Sequence, residues 1–281
     1  MKIATTGATG QLGRIAVAKL KERTTIESLV ALVRTPEKAT DLGIEVRSFD
    51  YSKPDSLAGA LKDIDTLFLI SGSEVGQREA QHKNVIRAAQ EAGVKWIVYT
   101  SLLHADTSSL SLAPEHAATE EALKASGISY TILRNGWYTE NYTSSIPAAI
   151  QTGELTGAAG EGKIASATRE DFAEAAAIIL TTAGHENKTY ELSGDEAYNL
   201  SELAAEISKQ TGKKILYNNL QEKEYAARLT NAGLPEWLAD AFAGWDTSAS
   251  KGDLFDESKT LSGILGRATT PLSEVVKRTL V

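Results

Sequence analysis

The stretch Gly7-Ala8-Thr9-Gly10-Gln11-Leu12-Gly13 stands directly behind an apolar opening, Lys2-Ile3-Ala4-Thr5-Thr6, and runs into apolar residues at helical spacing, Leu12, Ile15, Ala16 and Leu20. A strand, a glycine turn and a helix in that order make a nucleotide site. One glycine lets the chain turn sharply, one lets the backbone approach a pyrophosphate, and one lets the helix pack close to the strand. The phosphates then lie on the positive helix N-terminus. Gly7, Thr9, Gly10, Gln11, Leu12 and Gly13 are the expected cofactor-binding residues of this turn.

Up to about residue 135 the chain repeats this alternation. Short apolar runs at 29–33, 46–49, 66–70, 97–100 and 130–133 are separated by helical patterns at 55–61, 77–92 and 115–125, each with Gly or Pro where a helix starts or stops. Such alternation builds βαβ units and a parallel sheet. The expected fold class is α/β, a Rossmann-type doubly wound parallel sheet. After Arg134 the rhythm changes: 153–162 is rich in Gly, 169–180 reads as a helix, 189–192 as a strand, and the rest is mostly helical with Pro235 and Pro271 as punctuation. The expected division is therefore 1–135 plus about 166–188 as the nucleotide-binding domain, and about 136–165 plus 189–281 as a smaller, mostly helical lobe. That tail is expected not to continue the sheet but to cover its C-terminal edge, where open α/β sheets bind ligands.

The net charge of −8 is not gathered into acidic or basic blocks, which argues against nucleic-acid binding. No stretch has the apolar length of a membrane span, and no signal peptide is visible at the start, so a cytoplasmic location is expected. There is no Cys, which excludes disulfides, thiolate metal sites and a cysteine nucleophile. The four His offer one tight combination, Glu79 with His82; it lacks a second ligand pair, so it reads as a solvated helix face and no metal is expected. Redox chemistry would have to come from a bound cofactor.

About twenty residues past the glycine turn an NAD enzyme carries a carboxylate for the ribose hydroxyls, whereas an Arg accommodates a 2′-phosphate. Here the second apolar run ends Leu32-Val33-Arg34, with Lys38 one turn on. Arg34 is either a grip for that phosphate or a solvated surface charge. By the strand-end rule, Asp50 and Tyr51 would border adenine, and Ser71, Gly72 and Ser73 the adjoining ribose.

The G-x-x-G-x-x-G spacing is that of short-chain dehydrogenases/reductases. Nearly the whole chain resembles the NmrA-like atypical members of that group, and within them the bacterial type 2 NADPH:quinone oxidoreductases. The likeness is carried by the glycine turn, Val33-Arg34, the blocks at 70–78 and 99–106, Leu133-Arg134-Asn135-Gly136-Trp137-Tyr138 with Glu140-Asn141-Tyr142, and 162–169. The resemblance implies a flavin-free, NADPH-dependent reduction of quinones.

The usual short-chain enzyme moves a proton with a Tyr four residues before a Lys, and none of the nine Tyr here has Lys in that position. Where the pair would stand, the chain has His116 and Glu120, on one helix face at i, i+4. An alcohol or ketone substrate would miss the general acid, by about 10² to 10⁴-fold. A quinone is an intrinsically strong acceptor and needs mainly alignment and hydrogen-bond donors. His116, whose ordinary pKa lies near neutrality, is either such a donor or a helix histidine without a task. Trp137 and Tyr138, next to Asn135, are either a stacking wall for a planar ligand or core filling. Ser101 matches a strand end where a catalytic Ser or Thr is often kept, but its Tyr partner is absent.

The expected function is NADPH-dependent two-electron reduction of quinones or a similar planar molecule, with NADPH as the cofactor and no flavin, metal, nucleic acid or membrane insertion; an assembly of identical copies is compatible with the sequence. The alternatives are a non-catalytic NmrA-like sensor of the nucleotide's redox state, and a reductase of another planar carbonyl or enone.

Overall fold

The computed structural model describes residues 1–280. In chain order its strands are β1 (Ile3–Thr6), β2 (Leu29–Val33), β3 (Glu45–Ser48), β4 (Thr66–Leu69), β5 (Trp96–Leu102), β6 (Ser129–Asn135), β7 (Glu154–Gly157), β8 (Lys188–Leu192) and β9 (Leu216–Asn219). The helices used below are α1 (Gln11–Lys21), α2 (Pro54–Ala60), α3 (Arg78–Ala92), α4 (Ala113–Ala125), α5 (Thr139–Thr143), α6 (Ile146–Thr152), α7 (Arg169–Thr181), α8 (Leu200–Thr211), α9 (Glu222–Asn231) and α10 (Glu236–Ser250).

The chain divides into two compact units. The first comprises Met1–Asp106, Pro114–Asn135 and Arg169–Glu191; the second comprises Thr107–Ala113, Gly136–Thr168 and Leu192–Val281. Two segments fall differently from the expected division. Residues 107–113 belong with the second unit, and the eighth strand runs with the first.

The first unit is a seven-stranded sheet in the order β3-β2-β1-β4-β5-β6-β8, with β1 to β6 paired in parallel. Reversal of strand order at β1 and β4 makes it doubly wound, and ligands of such sheets bind beyond the carboxyl ends there. The side-chain period of two serves both faces of β2. Val30 and Leu32 join one core with Leu57 and Leu61 from around α2 and Val85, Ile86 and Ala89 of α3, while Ala31 and Val33 join another with Val17 of α1. On that second side α1 packs against α7. The expectation that the chain beyond residue 189 leaves the sheet is corrected: β8 is its seventh strand. A short apolar run cannot reveal which strand it will pair with.

The second unit is mostly helical, with a two-stranded parallel sheet of β7 and β9 that the Gly-rich reading of 153–162 did not foresee. Its α8 starts with a reciprocal cap, in which the Asn199 side chain takes the Glu202 N–H and the Glu202 carboxylate takes the Asn199 N–H. Among the described residues no helix is long and apolar enough to cross a membrane.

Candidate functional site

β1 delivers the chain to Gly7, whose φ of +57° is a left-handed conformation that glycine adopts without strain. The Gly10 N–H closes the turn on the Gly7 carbonyl at 2.8 Å. A Cβ on Gly13 would stand 2.2 Å from that same oxygen, so the helix start lies hard against the turn; a Cβ on Gly10 would be 3.2 Å from it. No side chain caps α1 and its first turn holds no acidic residue. Gly7, Gly10 and Gln11 are exposed, Thr9 is half-buried, and Leu12 and Gly13 are buried. An uncapped N-terminus with open glycine backbone suits phosphate oxygens, because its N–H groups and helix dipole both favour an anion.

Arg34 follows β2 and is exposed, its Nη1 2.6 Å from Glu74 Oε1. Lys38 is exposed, and its carbonyl accepts from Arg14 Nη2 at 2.8 Å while Arg14 Nη1 pairs with Asp41 at 2.6 Å. Arg14 thus ties α1 to the turn after β2, a cation absent from the expected set. Asp50 accepts from the hydroxyl and the N–H of Ser52, which hold its carboxyl below the usual range. The Tyr51 hydroxyl lies 2.5 Å from Thr6 Oγ1 and 2.8 Å from the Ile70 carbonyl, and burial pushes its pKa upward. Its polar end therefore joins the tips of β1 and β4, while its ring meets Phe49 and His82 edge-on.

The loop after β4 is fixed from below by groups that composition does not single out. Ser71 N–H donates to Thr100 Oγ1 at 2.9 Å, Gly72 N–H to His82 Nε2 at 3.0 Å, and Arg78 Nε to the Gly72 carbonyl at 2.5 Å. Ser73 is exposed. Because His82 Nε2 accepts, its proton is on Nδ1 and goes to Thr119 Oγ1 at 3.0 Å, which donates onward to the Glu115 carbonyl. Arg78 Nη1 and Glu115 Oε2, neither with a hydrogen bond, face each other at 3.5 Å as an ion pair. The solvated-face reading of Glu79 and His82 is corrected for the histidine. His82 is fully buried, and burial followed by the nearby Arg78 charge lowers its pKa to about 3, whereas Glu79 pairs with Lys83 in solvent. His82 lies on the α3 stripe with Val85, Ile86 and Ala89, a spacing that signals burial.

A second network underlies β5 and β6. Arg134 donates through Nε and Nη2 to both Glu120 oxygens at 2.9 and 2.8 Å, and its Nη1 reaches Glu191 at 2.7 Å and Asp106 at 3.0 Å. The Ser101 hydroxyl donates to Glu120 Oε1 at 2.6 Å, so it is committed to this network. His116 of α4 lies in the interior. It is buried at 2.7 Å from the Tyr99 hydroxyl, and burial, then Arg78 and His82, lower its pKa to about 3. His116 is a neutral interior imidazole. Asn135, ending β6, is buried with a side-chain carbonyl that no protein donor satisfies.

In the second unit Trp137 and Tyr138 are half-buried; the Trp137 ring meets Trp245 edge-on at 5.6 Å, and Tyr138 precedes α5 and bridges to Ala167. Among the described residues no group of His, Cys, Asp or Glu could hold a metal ion.

The glycine turn, the uncapped helix and the doubly wound sheet define a dinucleotide-binding α/β protein. The chain belongs to the NAD(P)H-binding family, whose match spans residues 7–183. It is 57% identical to quinone oxidoreductase 2 of Escherichia coli K12 over 98% of this chain and 97% of that one. Its fold is similar to the crystal structure of the E. coli NADPH-dependent quinone oxidoreductase QOR2 complexed with NADPH, with a TM-score of 0.98, 56% identity, and 99% and 100% of the two chains covered. It is also similar to Citrobacter sp. triphenylmethane reductase complexed with NADP(H), with a TM-score of 0.96, 39% identity, and 99% and 100% covered.

Proposed function

We propose that this chain is a flavin-free, metal-free NADPH:quinone oxidoreductase of the cytoplasm. The observation that carries the reading is its 57% identity, over nearly the full length of both chains, to a quinone oxidoreductase. The glycine turn supports it locally. Gly7, Thr9, Gly10, Gln11, Leu12 and Gly13 would hold the pyrophosphate, Arg34 and Lys38 the 2′-phosphate, Asp50 and the Tyr51 ring the adenosine, and Ser71, Gly72 and Ser73 the second ribose. The buried Asn135 carbonyl, which lacks a donor, suits an amide N–H of the cofactor. Bound NADPH supplies a hydride.

The protein's own part is alignment. His82 and Arg78 fix the N–H and the carbonyl of Gly72, and the Arg134 network fixes the ends of β5 and β6. A neutral, buried His116 is unsuited to giving up a proton at neutral pH, which favours an acceptor that needs no dedicated acid. A quinone is such an acceptor, and Trp137 and Tyr138 would be its aromatic wall.

The test is NADPH oxidation by protein freed of flavin, followed by the loss of reduced-nicotinamide absorbance with and without benzoquinone. Rapid quinone-dependent oxidation is expected. Tight binding of both nucleotide redox forms with no turnover would replace this reading with that of a redox sensor.

A further inference from the structure

The loop after β4 brings a carboxylate to the guanidinium that would grip the 2′-phosphate. Glu74 Oε1 lies 2.6 Å from Arg34 Nη1, across 40 residues of chain. Its other oxygen accepts from Gln81 Nε2 at 2.7 Å, and Gln81 is a buried residue of α3. The backbone holds the same loop, since the Glu74 carbonyl takes the Gln77 N–H at 3.0 Å and the Gln77 carbonyl takes the Gln81 N–H at 3.0 Å. One member of the pair is therefore fixed to a helix, while the other is an exposed side chain that can swing. Enzymes that use NAD carry a carboxylate at the end of the second strand. Here that place is held by Arg34, and a carboxylate reaches it from the loop of a different strand.

A 2′-phosphate that comes to Arg34 meets an anion already in place. The guanidinium has donors enough for two partners, but carboxylate and phosphate would then stand side by side as like charges around one cation. If Arg34 swings to the phosphate instead, the contact with Glu74 is lost. Either way the cost falls on the nucleotide that bears the phosphate, and a ribose hydroxyl escapes it. We propose that Glu74 is a specificity-determining residue that competes with the 2′-phosphate for Arg34 and holds the preference for NADPH over NADH below what Arg34 alone would give. The inference rests on the NADPH reading above and names a residue that limits it. Because the pair is exposed, the competition is worth about twofold to fivefold in affinity.

The test is calorimetric titration of NADPH, NADH and adenosine 2′,5′-bisphosphate into the whole protein and its Glu74→Gln variant at low ionic strength, where exposed charges are least screened. Glutamine keeps an acceptor for Gln81 and removes the charge, and at an exposed position it should leave denaturant stability as in the parent. NADPH is expected to bind about twofold to fivefold more tightly to the variant, and NADH to gain nothing. The bisphosphate should gain as NADPH does, which reads the effect without nicotinamide or turnover. In an Arg34→Met background the gain should vanish, because no guanidinium is left to compete for. Unchanged NADPH affinity in Glu74→Gln, an equal gain for NADH, or a gain that persists without Arg34 would overturn the proposal and leave the nucleotide site standing. A parent protein that binds no NADPH would overturn both.

Discussion

The two units bury charge in opposite ways. In the first, Arg134 is enclosed by Glu120, Glu191 and Asp106, and Arg78 faces Glu115, so each buried cation has carboxylates in reach. In the second, Asp246 is buried with a backbone N–H and a distant phenol. Matched charge is a means of fixing geometry, at the Gly72 peptide and at the ends of β5 and β6, where precise strand ends are what a nucleotide needs. Unmatched charge is a cost to folding, offset here only by one backbone donor and a weak phenol contact.

The largest effect that separates the units is their response to acid. His82 and His116 ionise near 6.5 when unfolded and at about 3 when folded. Each stabilises the fold fully above pH 6.5, and that contribution is lost as pH falls toward 3, by up to about 5 kcal/mol for each imidazole. Both face Arg78, which repels a second positive charge. Asp246 runs the other way, since its value rises from 3.8 to about 6 on folding. Its contribution is fully present below about pH 3.8 and is lost as pH rises through about 6, a difference of about 3 kcal/mol. The titratable groups facing it are the phenols of Tyr142, Tyr217 and Tyr225, all raised and neutral throughout this range. Urea unfolding at a series of pH values should therefore give His116→Gln a shallower acid loss than the parent, and Asp246→Asn a steeper one. Shifts in the same direction would break the comparison.

Removing a partner tests the matched network directly. Arg134→Ala leaves Glu120, 2% exposed, with only the half-exposed Lys124 at 3.8 Å, and should destabilise the protein by about 3 to 5 kcal/mol. Asp246→Asn at neutral pH should be neutral or stabilising by the same denaturant measurement. An Arg134→Ala protein as stable as its parent would show that the first unit does not depend on pairing.

Much of the first unit was legible in the sequence, because its signals are local. The glycine turn with its flanking strand and helix reads in one direction along the chain, and the runs at 29–33 and 66–70 fall on β2 and β4. What stayed hidden is non-local. Nothing within 188–192 says that it will lie beside β6, and nothing within 154–157 and 216–219 says that they will pair. The polar interior was hidden for a related reason. A histidine pattern cannot show that Nε2 will meet the Gly72 N–H, although the stripe through His82, Val85 and Ala89 could have shown that the ring points inward. Likewise His116, Glu120 and Leu123 share a face that turned out to be buried, which their spacing alone does not show.

The smallest effect lies at exposed charge, where solvent screens what burial would amplify. Arg34 pairs with Glu74 at 2.6 Å, with side chains 64% and 46% exposed, so the pair contributes little to stability and opens at small cost to admit a phosphate. Glu74 is itself anchored, since its Oε2 accepts from Gln81 at 2.7 Å. A bidentate guanidinium on a 2′-phosphate is charge-assisted, and Arg34→Asp also adds repulsion. The variant should keep the parent's denaturant stability and lose about 1.5 to 3 kcal/mol of NADPH binding, roughly ten to a hundredfold, with NADH affinity spared. Calorimetric titration of both nucleotides reads this out. Unchanged NADPH affinity would mean that Arg34 is only the solvated partner of Glu74, and a parallel loss for NADH would mean that the substitution acts on the fold rather than on the phosphate.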